Sequence, residues 1–432
     1  MKTKYKLIFM TIFLLMTAMN CFSAEAESFT VNDLKVIFKQ NTSTDIVAAS
    51  MYLRGGVMNI SPDQAGIENL ALIVAQKATK RFAKDELNAR LEKMNSQITS
   101  TSNPDFSSLN LQCVKQNLKN SWEIFTDILL NPAFNEEDVD LERQRLISNI
   151  KQTKDNPDGY LTQILRQGFY VNHPYATDVD GTIETVSVFS ADDLRSHLQS
   201  RIKTSHMLLV VVGNTTRAEL QRLVENSFSA IEVGNYKQQL PALTDFDESS
   251  IKVVNRELPT SYIRAYFPAP AYGSEESYAM GIACSILRDR LFEEVRTKRG
   301  LSYAPAAGYG NSFSNYGYIY VTTVKPDMTI KVMINELDRI KNEQVSEKEL
   351  NNKLNVFITA YYLANETNQS QANLLARMEL STAGYEAAPK FIEFCKSVTP
   401  QIIQATCQKY IENLQFVLLG NPATLAVNNF MY

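Results

Sequence analysis

Leu208-Leu209-Val210-Val211-Val212-Gly213-Asn214 is an unbroken apolar run closed by Gly-Asn, and Phe416-Val417-Leu418-Leu419-Gly420-Asn421 repeats the pattern 207 residues later. Each run is too short for a buried helix and ends in a turn signal, so each reads as a strand buried on both faces. Upstream of each lies a second strand-like run, Ile46 to Leu53 and Tyr262 to Phe267. An acidic-led amphipathic helix follows each of these, beginning near Asp63 in the first half and near Ser274-Glu275-Glu276 in the second. Offsets that agree to within a few residues are the signature of a duplicated domain.

Within each half the order is strands, helix, strands, several helices and a final strand. Helical periodicity marks Leu118 to Leu130, Glu136 to Lys154, Leu161 to Phe169, Met328 to Asn342 and one long stretch from Glu347 to Met378. Strands and helices that are mixed but partly segregated predict an α+β fold. The polar stretch 234–250, which contains Pro241, lacks periodicity and is the predicted linker. The expected domains are therefore 29–233 and 251–432.

Composition is ordinary for a globular protein, with 44% hydrophobic and 21% charged residues over 432 positions. The first residues are read as a secretory leader spanning 1–24. Lys2, Lys4 and Lys6 precede the apolar run Leu7 to Ala18, and Ala24-Glu25-Ala26 offers a small-x-small cleavage site. Export to the periplasm or cell envelope is expected. Lipid anchoring at Cys21 fits less well, because Ala18-Met19-Asn20 lacks the small residues wanted next to the cysteine. Three of the 43 Lys and Arg lie in that leader, leaving 40 against 47 Asp and Glu, a net charge of −7 that argues against nucleic acid. Cys113, Cys284, Cys395 and Cys407 are scattered without a C-x-x-C pair and read as buried free thiols. Gly55-Gly56 lacks the P-loop Lys-Ser/Thr and reads as a turn.

An ordered series of short motifs resembles the M16 peptidases, the family of pitrilysin, insulinase and the mitochondrial processing peptidase. Asn172-His173-Pro174-Tyr175, Gly181-Thr182 with Glu184, and Asp192-Asp193-Leu194 before Leu209-Val210-Val211-Val212-Gly213 are similar to its middle segment. Leu291-Phe292 through Arg296, then Gly300-Leu301-Ser302-Tyr303, is similar to its second-domain signature. The resemblance covers nearly all of the mature chain. It implies two homologous LuxS/MPP-like (M16-like) domains, each a mainly antiparallel sheet with helices packed on it.

Active members carry His-x-x-Glu-His on the first helix, where histidines at i and i+4 reach one Zn²⁺ and the glutamate acts as general base. Counting from Ala65-Gly66, the histidine positions hold Asn69 and Ile73, and the base position holds Leu72. The family's third ligand falls on Asn149, in Glu142-Arg143-Gln144-Arg145-Leu146-Ile147-Ser148-Asn149 ahead of Asp155-Asn156-Pro157. Leu and Ile cannot bind zinc, and neutral amides are poor ligands for it. Only three histidines exist, none paired at helical spacing, which argues against a relocated metal site. His173 is read as a loop residue in local hydrogen bonding, His197 as part of a solvated helix face, and His206 as structurally capped at a strand start. Glu68 adjoins the altered motif and is read as a solvent-facing carboxylate, about 100° around the helix from Asn69.

Arg296 and Tyr303 keep the family's seven-residue spacing. The resemblance implies that such a pair holds substrate carbonyls near the zinc of a first-half domain, and both groups are donors suited to that task. No catalytic residue and no metal are expected in this chain; zinc is expected only in a partner. The leading expectation is a non-catalytic subunit that closes with a zinc-bearing M16 subunit around a peptide, in a hetero-oligomer. The alternative is a stand-alone peptide- or protein-binding envelope protein with no part in proteolysis. A neighbouring gene for a similar chain with intact His-x-x-Glu-His would discriminate between them.

Overall fold

The Leu208–Asn214 run is continuous because the strand it forms faces two different cores. The computed structural model describes residues 25–422, Phe430 and Tyr432; the leader expected over 1–24, with Cys21, lies outside the described residues. In strand β6 (Met207–Gly213), Met207, Leu209 and Val211 point into the first domain's own helical core. Leu208, Val210 and Val212 point the other way, onto residues of the second domain. A strand covered on both faces loses the apolar–polar alternation of a half-solvated one. The same holds for β11 (Gln415–Gly420): Phe416 and Leu418 face one core, Val417 and Leu419 the other.

The first sheet contains β1 (Glu27–Val31), β2 (Leu34–Gln40), β3 (Ile46–Arg54), β4 (Gln97–Ser102), β5 (Phe106–Val114) and β6, in the order β1-β2-β6-β3-β5-β4. The second contains β7 (Ser250–Asn255), β8 (Ser261–Ala269), β9 (Ala306–Tyr309), β10 (Asn315–Thr323) and β11, in the order β7-β11-β8-β10-β9. Without β1 the two orders are the same. In each, one pair is parallel (β2 with β6, β7 with β11) and every other pair is antiparallel. The architecture is thus two α+β domains of the same topology with antiparallel-dominated sheets. Residues 234–249 carry no helix or strand, and β7 starts at Ser250.

Helices follow the same duplicated order. Ile67–Ala75, Leu118–Leu130, Glu136–Asp155, Pro157–Phe169 and Ala191–Arg201 in the first half correspond to Glu275–Leu291, Pro326–Asn342, Glu347–Ala364, Asn368–Leu380 and Pro400–Tyr410 in the second. The expected single helix from Glu347 to Met378 is instead two. Thr367 caps the second, its Oγ1 accepting from the Ser370 N–H at 3.1 Å in a capping box that ends the first helix without glycine or proline.

That break has a large consequence. The Asn368–Leu380 helix crosses to the first domain and packs on β3 and β6, while its counterpart, Pro157–Phe169, crosses to the second and packs on β8 and β11. Each sheet is therefore covered by its own helices on one face and by its neighbour's helix on the other. Polar contacts reinforce the exchange: Tyr52 Oη donates to Asn373 Oδ1 at 2.6 Å, and Lys35 pairs with Glu379 at 2.6 Å. At the centre of the joint the Asp105 carboxylate accepts from the Tyr175 hydroxyl and from the Phe313 N–H at 3.2 Å, and Tyr170 Oη donates to Ser314 O at 2.7 Å. Burial pushes the Asp105 carboxyl up to about 6, against the pull of those two donors and Arg377. Cys113, Cys284, Cys395 and Cys407 are buried free thiols. Among the described residues no helix is long and apolar enough to cross a membrane.

Candidate functional site

The helix Ile67–Ala75 starts at Gly66, whose φ of 89° is left-handed. A Cβ there would also strike Asp180 O at 2.7 Å, and one at Gly181 would strike Ala65 O at 2.4 Å. The two glycine turns are pressed backbone to backbone, and Thr185 Oγ1 donates to Ala65 O at 2.8 Å to tie them. This contact brings Asp180 to Asn69, whose Nδ2 donates to Asp180 Oδ1 at 2.9 Å. Asn69 and Ile73, one turn apart, share a half-buried strip of the helix. Leu72 is 1% exposed and lies in the first domain's hydrophobic core. Asn149 is exposed on the Glu136–Asp155 helix, which packs against this one.

These residues do not fit zinc. The base position is a leucine sealed in the core, one histidine position is an isoleucine, and the amide at the other is already engaged with Asp180. Tight zinc binding asks for imidazole, thiolate or carboxylate donors in a tetrahedral set. Among the described residues no group of three or more His, Cys, Asp or Glu is placed to hold a metal ion.

Two expectations for this region are corrected. Glu68 is not solvent-facing and His197 is not on a solvated face; they are 5% and 7% exposed and meet at 3.2 Å. The reason is that Ile67–Ala75 is enclosed on nearly all sides, so turning away from Asn69 leads to the Ala191–Arg201 helix rather than to water. Burial alone would raise the Glu68 carboxyl. Hydrogen bonds from His197 and Ser107 and the nearby Arg201 outweigh it and hold the carboxyl below its ordinary value. The charge-paired cluster continues outward, with Arg201 Nη2 donating to Asn59 O at 2.5 Å. His206 stacks on Tyr236 at 4.1 Å, and its Nε2 meets Arg54 O at 2.8 Å. Burial, then Arg201, push His206 down to about 4, so it is neutral at physiological pH. His173 caps a short turn, its Nδ1 accepting from Tyr175 N–H at 3.0 Å. All three histidines serve the scaffold.

In the second domain the Glu275–Leu291 helix runs into a π-turn, Phe292–Thr297. The chain then folds back on itself: Gly300 N–H donates to Arg296 O at 3.1 Å, and Leu301 N–H to Val295 O at 2.9 Å. Gly300 supports this reversal with a φ of 57°. The return places Tyr303 over Arg296, with the guanidinium carbon 4.0 Å from the Tyr303 ring centroid and 4.7 Å from that of Phe292. Glu294 pairs with both Lys298 and Arg299, which keeps it from Arg296. Arg296 is thus positioned by two rings rather than by a carboxylate. Tyr303 is 77% exposed. The structure brings this pair together on the surface, with donors that can meet a peptide carbonyl. Sequence reading missed the apolar surround. Phe292, Val324 and Met328 are exposed, and Thr323 Oγ1 donates to Leu301 O at 2.8 Å, joining the strand end before Val324 to the Tyr303 loop. No periodicity marks such a patch, because its members come from a π-turn, a strand end and a helix start.

The fold defines a protein of two homologous α+β domains, and the residues at the positions that the resemblance assigns to a metal do not fit one. The family model described as Insulinase (Peptidase family M16) matches residues 35–182, and the one described as Peptidase M16 inactive domain matches residues 189–357. The chain belongs to the M16 peptidase family. A Rickettsia felis protein described as an uncharacterized zinc protease is 23% identical over 391 residues, which is 87% of this chain and 90% of that protein. Among solved structures, a peptidase M16 inactive domain protein from Pseudomonas fluorescens superposes with a TM-score of 0.85 at 15% identity, covering 92% of this chain and 98% of that one. The periplasmic protease PqqL from Escherichia coli superposes with a TM-score of 0.77 at 13% identity; the match takes 92% of this chain but 47% of PqqL.

Proposed function

We propose that this protein is the non-catalytic subunit of an exported M16-type zinc metallopeptidase, supplying Arg296 and Tyr303 to the active site of a separate zinc-bearing M16 partner. One juxtaposition carries the reading: a ring-held, carboxylate-free Arg296 beside an exposed Tyr303, in a chain whose own metal positions are Asn69, Leu72, Ile73 and Asn149. Donors preset in this way favour a substrate carbonyl because little is reorganised when the peptide arrives. The match to 47% of PqqL supports a two-chain assembly, since one chain of that protease has room for two units of this length.

The test is reconstitution with a zinc-bearing M16 chain encoded in the same genome. Tyr303→Phe removes one hydroxyl and should lower the peptidase rate of the complex about 10²–10³-fold while assembly, followed by gel filtration, is unchanged. Full activity with the Tyr303→Phe subunit would refute the role and leave the stand-alone binding protein as the better reading. Export is tested by sequencing the amino terminus of the native protein from the periplasmic fraction; a chain still beginning at Met1 in the cytoplasm would overturn it.

A further inference from the structure

In the second domain, the Glu275–Leu291 and Glu347–Ala364 helices stand where Ile67–Ala75 and Glu136–Asp155 stand in the first. Beside them, under the loop that follows β9, lies a cavity of about 250 Å³ whose lining includes Tyr272, Tyr278, Gly281, Tyr309, Phe357 and Phe391. No charged side chain lines it.

Two independent features mark it as more than a packing defect. Gly281 sits in the interior of a 17-residue helix, where glycine is destabilising relative to alanine. Nothing in the backbone requires it: a Cβ there would meet only Phe357 ring carbons, at 3.5 and 3.6 Å, which is ordinary contact. What the missing methyl provides is room in the cavity. The second feature is Tyr278, 7% exposed and fixed by Phe394 at 5.1 Å and Phe391 at 5.6 Å. Its enclosed hydroxyl has no hydrogen-bond partner among the described residues. Tyr309, by contrast, is satisfied by donating to Pro270 O at 2.8 Å. A buried hydroxyl without a protein acceptor has a hydrogen bond left for water or for a ligand atom to complete, and here it belongs to a residue that lines an apolar cavity.

We propose that this cavity binds a neutral benzenoid ring bearing one oxygen acceptor, with the ring among the aromatic walls and the oxygen accepting from the Tyr278 hydroxyl. Size agrees: an apolar cavity of about 150 Å³ holds benzene, so this one has space for a ring with substituents. The same chemistry is offered by a free phenolic compound and by a tyrosine side chain of a peptide. The proposal is independent of the subunit reading, since Arg296 and Tyr303 do not line the cavity.

The experiment is titration calorimetry of the full chain with p-cresol and with its isostere p-xylene. Tyr278→Phe should weaken p-cresol about tenfold, the equivalent of one hydrogen bond at about 1.4 kcal/mol per tenfold, and leave p-xylene unchanged. Gly281→Ala should raise the melting temperature while weakening both ligands. Both substitutions are conservative, so the folded state is retained for the comparison. Tighter binding of N-acetyl-tyrosinamide than of p-cresol identifies a peptide side chain as the ligand; the reverse order identifies a free phenolic compound. No saturable p-cresol binding by the wild-type chain, or binding indifferent to both substitutions, overturns the proposal.

Discussion

Leu72→Glu tests the reading of the metal site at its most sensitive point, because it places a carboxyl alone at the position that the resemblance assigns to the general base. Leu72 is 1% exposed in the first domain's core. Removing a fully buried leucine side chain forfeits about 1.5–3 kcal/mol of apolar burial, and a carboxyl left there without a partner costs about 1–3 kcal/mol more. The total of about 2.5–6 kcal/mol compares with about 5–15 kcal/mol for a typical domain. Position 72 is also one helical turn from Glu68, which is held ionised by His197 and Arg201. Burial and that like charge both raise the new carboxyl above its unfolded value. Its folded form therefore binds the proton more tightly than the unfolded chain does, and the penalty grows as pH rises through the window between the two values. Denaturant unfolding followed by circular dichroism at pH 4.5 and 7.5 should show a deficit relative to wild type that widens at 7.5. Leu72→Met, which conserves volume, should cost less than about 1.5 kcal/mol. A deficit for Leu72→Glu below about 1 kcal/mol and flat with pH would place position 72 in open solvent and refute the helix register.

Three other outcomes follow from the same structure. The quadruple variant Asn69→His, Leu72→Glu, Ile73→His, Asn149→Glu should retain zinc after dialysis, measured by atomic absorption; a folded variant that binds none would show the register to be wrong. Asp105→Asn should remove a pH dependence from the domain joint. Burial pushes Asp105 up to about 6 in the folded chain from the ordinary 3.8, so its contribution is greatest below 3.8 and is lost as pH rises through 6, a span of about 3 kcal/mol. The stability gap between wild type and Asp105→Asn should shift toward wild type on acidification, and a gap constant from pH 7.5 to 4.5 would contradict the burial argument. Arg296→Ala should leave thermal stability within about 0.5 kcal/mol, since the side chain forms no ion pair among the described residues, while lowering peptidase activity of the reconstituted complex; loss of folding would assign Arg296 to the scaffold.

The duplicated fold was legible because a strand buried on both faces leaves an uninterrupted apolar run, and two such runs 207 residues apart set the frame. Helices with one wet face were legible for the converse reason. The break at Asn365-Glu366-Thr367 was not, since a Thr-x-x-Ser cap carries none of the glycine or proline that signals a helix end. Missing it also concealed the exchange of helices between domains, which depends on that corner. Glu68 and His197 were misread for a different reason. Each lies in a helix with charged neighbours, and their burial comes from a contact 129 residues apart in the chain, which no local pattern encodes. The Arg296–Tyr303 pair was found through resemblance, whereas the ring of Phe292 beneath Arg296 depends on the π-turn, a geometry without a sequence signature.

The exchanged helices also bear on where a peptide could be clasped. Pro157–Phe169 seals the face of the second sheet, and Asn368–Leu380 seals that of the first, each contributing to a core built from both domains. Separating the two domains would expose both cores and leave the Phe313 amide and the Tyr170 hydroxyl without their acceptors, Asp105 and the Ser314 carbonyl. Each such buried polar group costs about 1–3 kcal/mol when orphaned, before any apolar surface is counted. A hinge needs an interface that parts cheaply, and this one does not. In the assembly proposed above, the two domains of this chain would therefore move as one body, and the opening for a peptide would lie between this chain and its partner. That rigidity rests on packing alone, independently of the altered metal positions, and it suits the same assembly: a zinc-bearing chain that moves against this one, with Arg296 and Tyr303 presented on the surface they would share.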